Sequence, residues 1–268
     1  MMLAGKIALV TGAGQGMGRA IALEMARRGA AAVAVADRND DAVTETAAVV
    51  SAAGADAIPL VCDLRDRDQI AAMVQDTVGR FGGLDVLVNN AGVIETALTS
   101  STAIDELPED VWDAVYEINL KAVWLAIKFA APHLRRSSRG PSIVNAASVS
   151  GLIGFAHAPI YCASKAGVIQ LTRAAAIDLA PHVRCNCYCP GLIETPMARA
   201  FIDDADDPEE RRRSMVATQL LPRLGQADEV ARLACFLASD DAAFITGAAV
   251  TIDGGALAWH GVRAEAAS

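Results

Sequence analysis

Short apolar runs alternate with longer stretches of helical spacing along most of the chain. The runs at 6–11, 32–36, 58–62, 84–88, 142–148, 183–189 and 248–252 are rich in Val, Ile, Leu and Ala and poor in charge. Runs of that length and composition predict strands buried on both faces. Between them, 16–28, 40–53, 66–81, 112–134, 163–179 and 228–238 read as helices. Gly29 is a candidate C-cap of the first helix, and Asp66 a candidate N-cap of the third. Strand and helix in regular alternation predict the α/β class, with a doubly wound parallel sheet of about seven strands and helices on both faces. The 268 residues show no repeat, low-complexity tract or linker, so 1–268 is read as one domain.

Three stretches depart from this rhythm. Residues 93–110 form a long polar connection. Residues 198–223 are helix-prone but densely charged, which reads as a helical cover over about 196–215, either a mobile gate above a ligand edge or a solvated charged face with no such role. Residues 260–268 form a polar tail.

The first strand runs into Gly12-Ala-Gly14-Gln15-Gly16-Met17-Gly18, which opens the first helix. Glycines here allow a tight turn and let backbone approach a pyrophosphate, and the helix N-terminus offers free N–H groups to the anion. A strand, glycine turn, helix and second strand ending in an acid make a Rossmann-type dinucleotide-binding unit. That acid is Asp37, placed to accept from both ribose hydroxyls and to repel a 2′-phosphate. Arg38 beside it could pair with such a phosphate, but the turn itself carries Gln15 and no cation. The reading favours NAD over NADP. Asn89-Asn90-Ala91-Gly92 at the end of the fourth strand points to the same cofactor.

Candidate acid–base chemistry lies further on. Tyr161 and Lys165 are four apart, so on a helix they share one face. An ammonium beside a phenol favours the phenolate and is expected to lower its pKa from about 10. Ser148 follows the fifth strand, where open α/β sheets place their ligands. Asn119 sits inside a predicted helix, where Asn is intrinsically poor, so something is expected to use it.

Composition narrows the partners. With 53% apolar and 21% charged residues the chain reads as compact and soluble. A net charge of −9 argues against nucleic acid. The sequence has neither a long uncharged apolar span nor a secretory start, so the expected place is the cytoplasm, without a membrane contact. Cys185, Cys187 and Cys189 alternate along a strand, and no second cluster of ligands accompanies them. They read as small buried apolar residues, and no metal site is expected.

Taken together, these motifs resemble the short-chain dehydrogenase/reductase family over roughly residues 3–256. The family pattern Thr-Gly-x-x-x-Gly-x-Gly matches Thr11, Gly12, Gly16 and Gly18; Asn-Asn-Ala-Gly matches Asn89 to Gly92; and the helical Asn matches Asn119. The catalytic Ser, Tyr and Lys match Ser148, Tyr161 and Lys165, while Pro190, Gly191 and Thr195 match the later Pro-Gly and Thr. Two departures stand out: the longer 93–110 connection, and Ala147 where many members have a second Ser. The resemblance implies hydride exchange between a secondary alcohol or ketone and NAD(H). Tyr161 would be the acid–base, Ser148 would hold the substrate oxygen, Lys165 would tune Tyr161 and bind the nicotinamide ribose, and Asn119 would hold a relay water. It implies that Asp63 and Leu64 border the adenine, Asn90 the adenosine-side ribose, and Ile193 and Thr195 the carboxamide and phosphates. It also implies a homotetramer. The run from Arg184 to Pro190 is similar to the subgroup containing cytosolic 3-hydroxybutyrate dehydrogenase. Substrate classes left open are a 3-hydroxy acid, a sugar or sugar acid, a cyclic alcohol and a 3-oxoacyl thioester. The alternative from another class is a non-catalytic NAD(H) sensor or scaffold.

Overall fold

The computed structural model describes residues 2–259 and 261, so the predicted polar tail lies, Gly261 aside, outside the described residues. The described residues form nine strands in chain order: β1 (Ile7–Thr11), β2 (Ala32–Asp37), β3 (Asp56–Val61), β4 (Val86–Asn89), β5 (Ser142–Ala146), β6 (Arg184–Pro190), β7 (Ile193–Glu194), β8 (Gly225–Gln226) and β9 (Ala249–Ile252). Seven form a single parallel sheet in the order β3-β2-β1-β4-β5-β6-β9. The order reverses direction beside β1, between β2 and β4, which is where doubly wound sheets open a crevice. The sheet places Thr11, Asp37, Asn89, Ala146 and Pro190 at one carboxyl edge.

Among the described residues, nine α-helices accompany the strands: α1 (Gly16–Arg27), α2 (Asp40–Ala52), α3 (Arg67–Phe81), α4 (Glu109–Tyr116), α5 (Ala122–Leu134), α6 (Pro159–Leu179), α7 (Pro196–Asp203), α8 (Pro208–Ala217) and α9 (Ala227–Ala238). Strand alternation sends side chains to two cores. Leu9, Leu87, Ile143 and Cys187 bury against α3, α5 and α6 on one face. Val10, Val35, Val88 and Tyr188 bury against α1, α2 and α9 on the other. Cys185, Cys187 and Cys189 lie in the first core as free, fully buried thiols, as their alternation predicts. No described helix is long and apolar enough to cross a membrane.

Several predicted elements are redrawn. The predicted helix 112–134 starts at Glu109 and is split by a π-turn, Glu117–Lys121, around Asn119. The helix predicted from 163 starts at Pro159, whose fixed φ suits a first helical turn, so Tyr161 lies inside it. The charged 198–223 stretch is two short helices rather than one. Asp207 caps the second by accepting from the Glu210 N–H at 2.9 Å, and Pro208 fixes its start. The pairing of β7 with β8 closes that segment at its base. Pro59 is tolerated in β3 because that strand is a sheet edge.

At the amino edge, polar groups are paired. Asp85, fully buried, accepts from the Ile7 N–H at 2.7 Å, the Ser137 hydroxyl at 2.5 Å and Arg139 Nε at 2.8 Å. Asp85→Ala would strand these donors. Unfolding by denaturant should show a loss of about 2–4 kcal/mol, and a loss under about 0.5 kcal/mol would contradict the analysis.

Candidate active site

The site grows from the carboxyl ends of β1, β4, β5 and β6. The glycine turn joins β1 to α1 with Gly12 and Gly16 in left-handed conformations. A Cβ on Gly18 would lie 2.0 Å from the Gly12 carbonyl oxygen and 2.5 Å from Asn90 Nδ2, so only glycine fits there. Gln15 and Met17 sit beside these glycines; Gln15 is exposed at the N-cap of α1 and makes no side-chain capping bond. Asp37 Oδ2 accepts from the Gly14 N–H at 3.1 Å and Oδ1 from the Asn39 N–H at 3.2 Å, which turns the carboxylate toward the glycine turn. Arg38 is exposed beyond it, near enough to Asp63 to favour that carboxylate. Asp63 is held below the usual carboxylate range first by the Arg65 side chain, 2.9 Å away, and next by the Arg65 N–H. Leu64 is half-buried against the α3–α5 core.

The Asn90 side chain braces the edge from within. Its amide nitrogen donates to the Thr11 and Gly12 carbonyls at 3.1 and 3.2 Å, and its oxygen accepts from the Tyr188 hydroxyl at 3.0 Å. It therefore holds β1, β4 and β6 together. Ala91 packs under Gly12, where a Cβ would meet the Ala91 Cα at 2.7 Å. Gly92 lies between Lys165 and Asn119: a Cβ there would be 3.2 Å from Lys165 Nζ and 3.3 Å from Asn119 Oδ1.

Asn119 is fully buried, and its use is visible. Its Oδ1 accepts from the Val93 N–H at 2.8 Å, and its Nδ2 donates to the Val93 carbonyl at 2.8 Å and to Ser164 Oγ at 3.1 Å. The amide thus binds one residue of the connection as a strand would. The π-turn that carries it is a geometry often found at functional sites.

Ser148 is buried just after β5, and its Oγ accepts from the Ser150 N–H at 3.1 Å. Tyr161 and Lys165 share one face of α6, with Lys165 Nζ 5.6 Å from the Tyr161 ring centroid. The ammonium donates to the Ala146 carbonyl at 2.8 Å and is 3% exposed. Burial pushes it down to about 8, opposed weakly by Cys189 and Cys187. The phenol does not follow the predicted direction. Burial raises Tyr161, a hydrogen bond with Ser148 pulls it back, and nearby Cys162 and Glu95 add to the rise. Ser148, rather than Lys165, is the group that favours the phenolate here. Pro190 and Gly191 end β6, with Gly191 so close to Asp253 that a Cβ would meet its Cα at 2.8 Å. Ile193 is buried in β7, and Thr195 faces Gly16 across the turn while capping α7 through the Ala198 N–H at 3.3 Å.

A family model described as "Enoyl-(Acyl carrier protein) reductase" matches residues 12–256. The chain belongs to the short-chain dehydrogenase/reductase family. That is an oxidoreductase family that binds a nicotinamide cofactor. The chain is 38% identical over 258 residues to the 3-oxoacyl-(acyl-carrier-protein) reductase FabG of Thermotoga maritima, covering 95% of this chain and 99% of that one. It is 39% identical over 253 residues to cis-4-hydroxycyclohexanecarboxylate dehydrogenase of Sinomonas cyclohexanicum, covering 93% and 96%. The crystal structure of levodione reductase matches with a TM-score of 0.90 and 31% identity, covering 96% of this chain and 100% of that one.

Two residues that brace the candidate site were not singled out from the sequence, Tyr188 and Glu95. Strand alternation places Tyr188 opposite the cysteines, a signal that could have marked it. Glu95, fully buried in the connection, gave no local signal, because the N–H groups it bonds belong to α6.

The buried ammonium costs stability. Lys165 stays charged up to about 8 in the folded chain and up to its ordinary 10.5 when unfolded. Between those values the unfolded state holds the extra proton, so stability rises with pH across that window. Lys165→Met should be more stable than the parent at pH 7, by about 1–2 kcal/mol after loss of the Ala146 bond. The difference should shrink as the pH approaches 10.5. Chemical unfolding across that range measures both, and a less stable Met variant at neutral pH would refute it.

Proposed function

We propose that the chain is an NAD(H)-dependent oxidoreductase that interconverts a secondary alcohol and a ketone. The observation that carries this is the convergence of Ser148, Tyr161 and Lys165 at the carboxyl edge, beside a glycine turn in which Gly12 and Gly18 have no room for a Cβ. The residues fit a dinucleotide. The turn and the α1 N-terminus would take the pyrophosphate, Asp37 the adenosine ribose, Asp63 and Leu64 the adenine edge, and Thr195 and Ile193 the far phosphate and carboxamide. Asn90 contributes by holding the turn in shape. When bound, the nicotinamide supplies the hydride acceptor or donor.

The chain's own groups handle the proton. Tyr161 gives its phenolic proton to the ketone oxygen or takes one from the alcohol. Ser148 donates a hydrogen bond to that oxygen as charge develops there. Lys165, beside the Tyr161 ring, would bind the nicotinamide ribose, and Asn119 holds the connection next to it through Val93. Leu152, Ile153, Phe155, Met197 and Phe201 are exposed apolar residues on the segments following β5 and β7. They suit a small apolar substrate. Two relatives are named for ring-bearing substrates, so cyclic alcohols and ketones are the first class to assay.

We infer assembly of copies through the outer faces of α4, α5 and α6 and the C-terminal strand, giving a homotetramer. Exposed Trp112, Trp124, Ile177 and Phe244 support that reading. A monomer at micromolar concentration by sedimentation would overturn it.

Tyr161→Phe keeps the ring and removes the proton. Turnover with NADH and a panel of ketones should fall about a hundredfold or more, with NADH affinity retained. Near-parental turnover would remove Tyr161 from the mechanism. NADH binding without turnover of any substrate by the parent would favour a sensor instead.

Cofactor choice rests on Asp37. Charged hydrogen bonds to ribose hydroxyls contribute roughly 1.5–3 kcal/mol, and the same carboxylate repels a 2′-phosphate. The parent should prefer NAD by about tenfold or more, which needs about 1.4 kcal/mol. Asp37→Ala should move the kcat/KM ratio toward NADP and free Arg38 to engage the phosphate. An unchanged ratio would show that Asp37 is not the selector.

A further inference from the structure

The helix that carries Tyr161 cannot cap itself. Its N-cap is Ala158, which has no side-chain acceptor, and Pro159 follows it. The next N–H groups, of Ile160 and Tyr161, belong to the first turn, whose donors have no partner within the helix. Ala158 and Ile160 are buried, so water is no substitute. Glu95 fills the gap from 65 residues away. Its Oε1 accepts from the Ile160 N–H at 3.0 Å and from the Tyr161 N–H at 3.3 Å.

Two further facts separate this from ordinary capping. Glu95 is fully buried, and its Oε2 has no hydrogen-bond partner among the described residues. A Ser, Thr or Asn at the N-cap would have satisfied one of these N–H groups without burying an unpartnered carboxyl oxygen. Second, the connection bearing Glu95 is itself fixed to the site, because Asn119 binds both backbone groups of Val93. Asn119 also donates to Ser164, whose hydroxyl donates to the Tyr161 carbonyl at 2.8 Å. Tyr161 is therefore held at its N–H by Glu95 and at its carbonyl by Ser164, both linked to the same connection.

We propose that Glu95 is a positioning residue for the acid–base, fixing the Tyr161 backbone through the capped first turn of α6. The proposal rests on the reading of Tyr161 as the acid–base. The long connection thus reaches the proton-transfer group as well as the substrate mouth.

Two variants isolate the cap. Glu95→Ala removes the acceptor, whereas Glu95→Gln keeps an oxygen for both N–H groups. In Glu95→Ala kcat should fall about tenfold or more with KM and NADH affinity near parental values, as expected when a reacting group is misplaced. In Glu95→Gln kcat should recover to within about threefold of the parent, because the acceptor is restored.

A Gln variant as slow as the Ala variant overturns the proposal, as does an Ala variant that alters KM alone. If Glu95→Ala fails to fold, Glu95→Asp replaces it: its shorter side chain draws the acceptor back, and the same loss of kcat with KM retained is expected. The two readings fail separately. Full turnover in Tyr161→Phe defeats the acid–base assignment, whereas loss there with unchanged Glu95 variants defeats only the role of Glu95.

Discussion

A parallel sheet gathers its carboxyl ends at one edge, and every polar group delivered there must find a partner within the protein or face a ligand. One amide meets much of that demand. Asn90 donates to the Thr11 and Gly12 carbonyls and accepts from Tyr188. The Thr11 hydroxyl in turn accepts from the N–H groups of Asn90 and Ala91. These bonds link β1, β4 and β6, although β5 lies between the last two. Left unpaired, each buried group would cost about 1–3 kcal/mol. The shape of the glycine turn, and with it the open N-terminus of α1, follows from this arrangement.

A second polar chain orients α6. Asn89 donates to Asn145 at 2.8 Å, Asn145 to Thr172 at 3.0 Å, and Thr172 to the Val168 carbonyl at 2.8 Å. All three side chains are buried. The chain starts on β4, crosses β5 and ends on the helix bearing Tyr161 and Lys165. Apolar packing alone would let that helix slide by fractions of a turn at little cost, whereas directional hydrogen bonds allow one register.

The local parts of this design were legible in the sequence. Buried strands appear as Val- and Ala-rich runs, and the glycine turn with Asp37 appears as a strand, turn, helix and acid. The Tyr161–Lys165 spacing correctly gave a shared helix face. What escaped depends on partners distant along the chain. The Asn90 side chain is taken up by Tyr188, 98 residues on, a partner that its neighbours in the chain do not announce. Glu95 has no helix of its own to cap, so its role could not be read from its neighbours. The π-turn at Asn119 exists because Val93 draws the side chain inward, and no helical pattern records that pull. The phenol was expected to be lowered by Lys165, but i,i+4 spacing says nothing about burial, which acts in the opposite direction on the phenol and on the ammonium.

The two edges of the sheet show where this chain departs from local rules. At the amino edge, Lys6 donates to the Arg139 and Gly140 carbonyls and pairs with Asp240, Asp85 takes three donors, and Arg184 donates to the Leu237, Ser239 and Ile245 carbonyls. The carboxyl edge is less settled. Its segments carry Lys165 buried with its pKa depressed, Asn119 in a π-turn, and His157 in a left-handed conformation that a non-glycine residue seldom adopts. Among the described residues, the two buried side-chain atoms without partners, Glu95 Oε2 and Gln219 Nε2, belong to segments at this edge. A sequence selected for stability alone would have removed such groups. Their concentration along one edge, opposite an edge where the corresponding groups are paired, is what a fold shows when it gives up stability where it works.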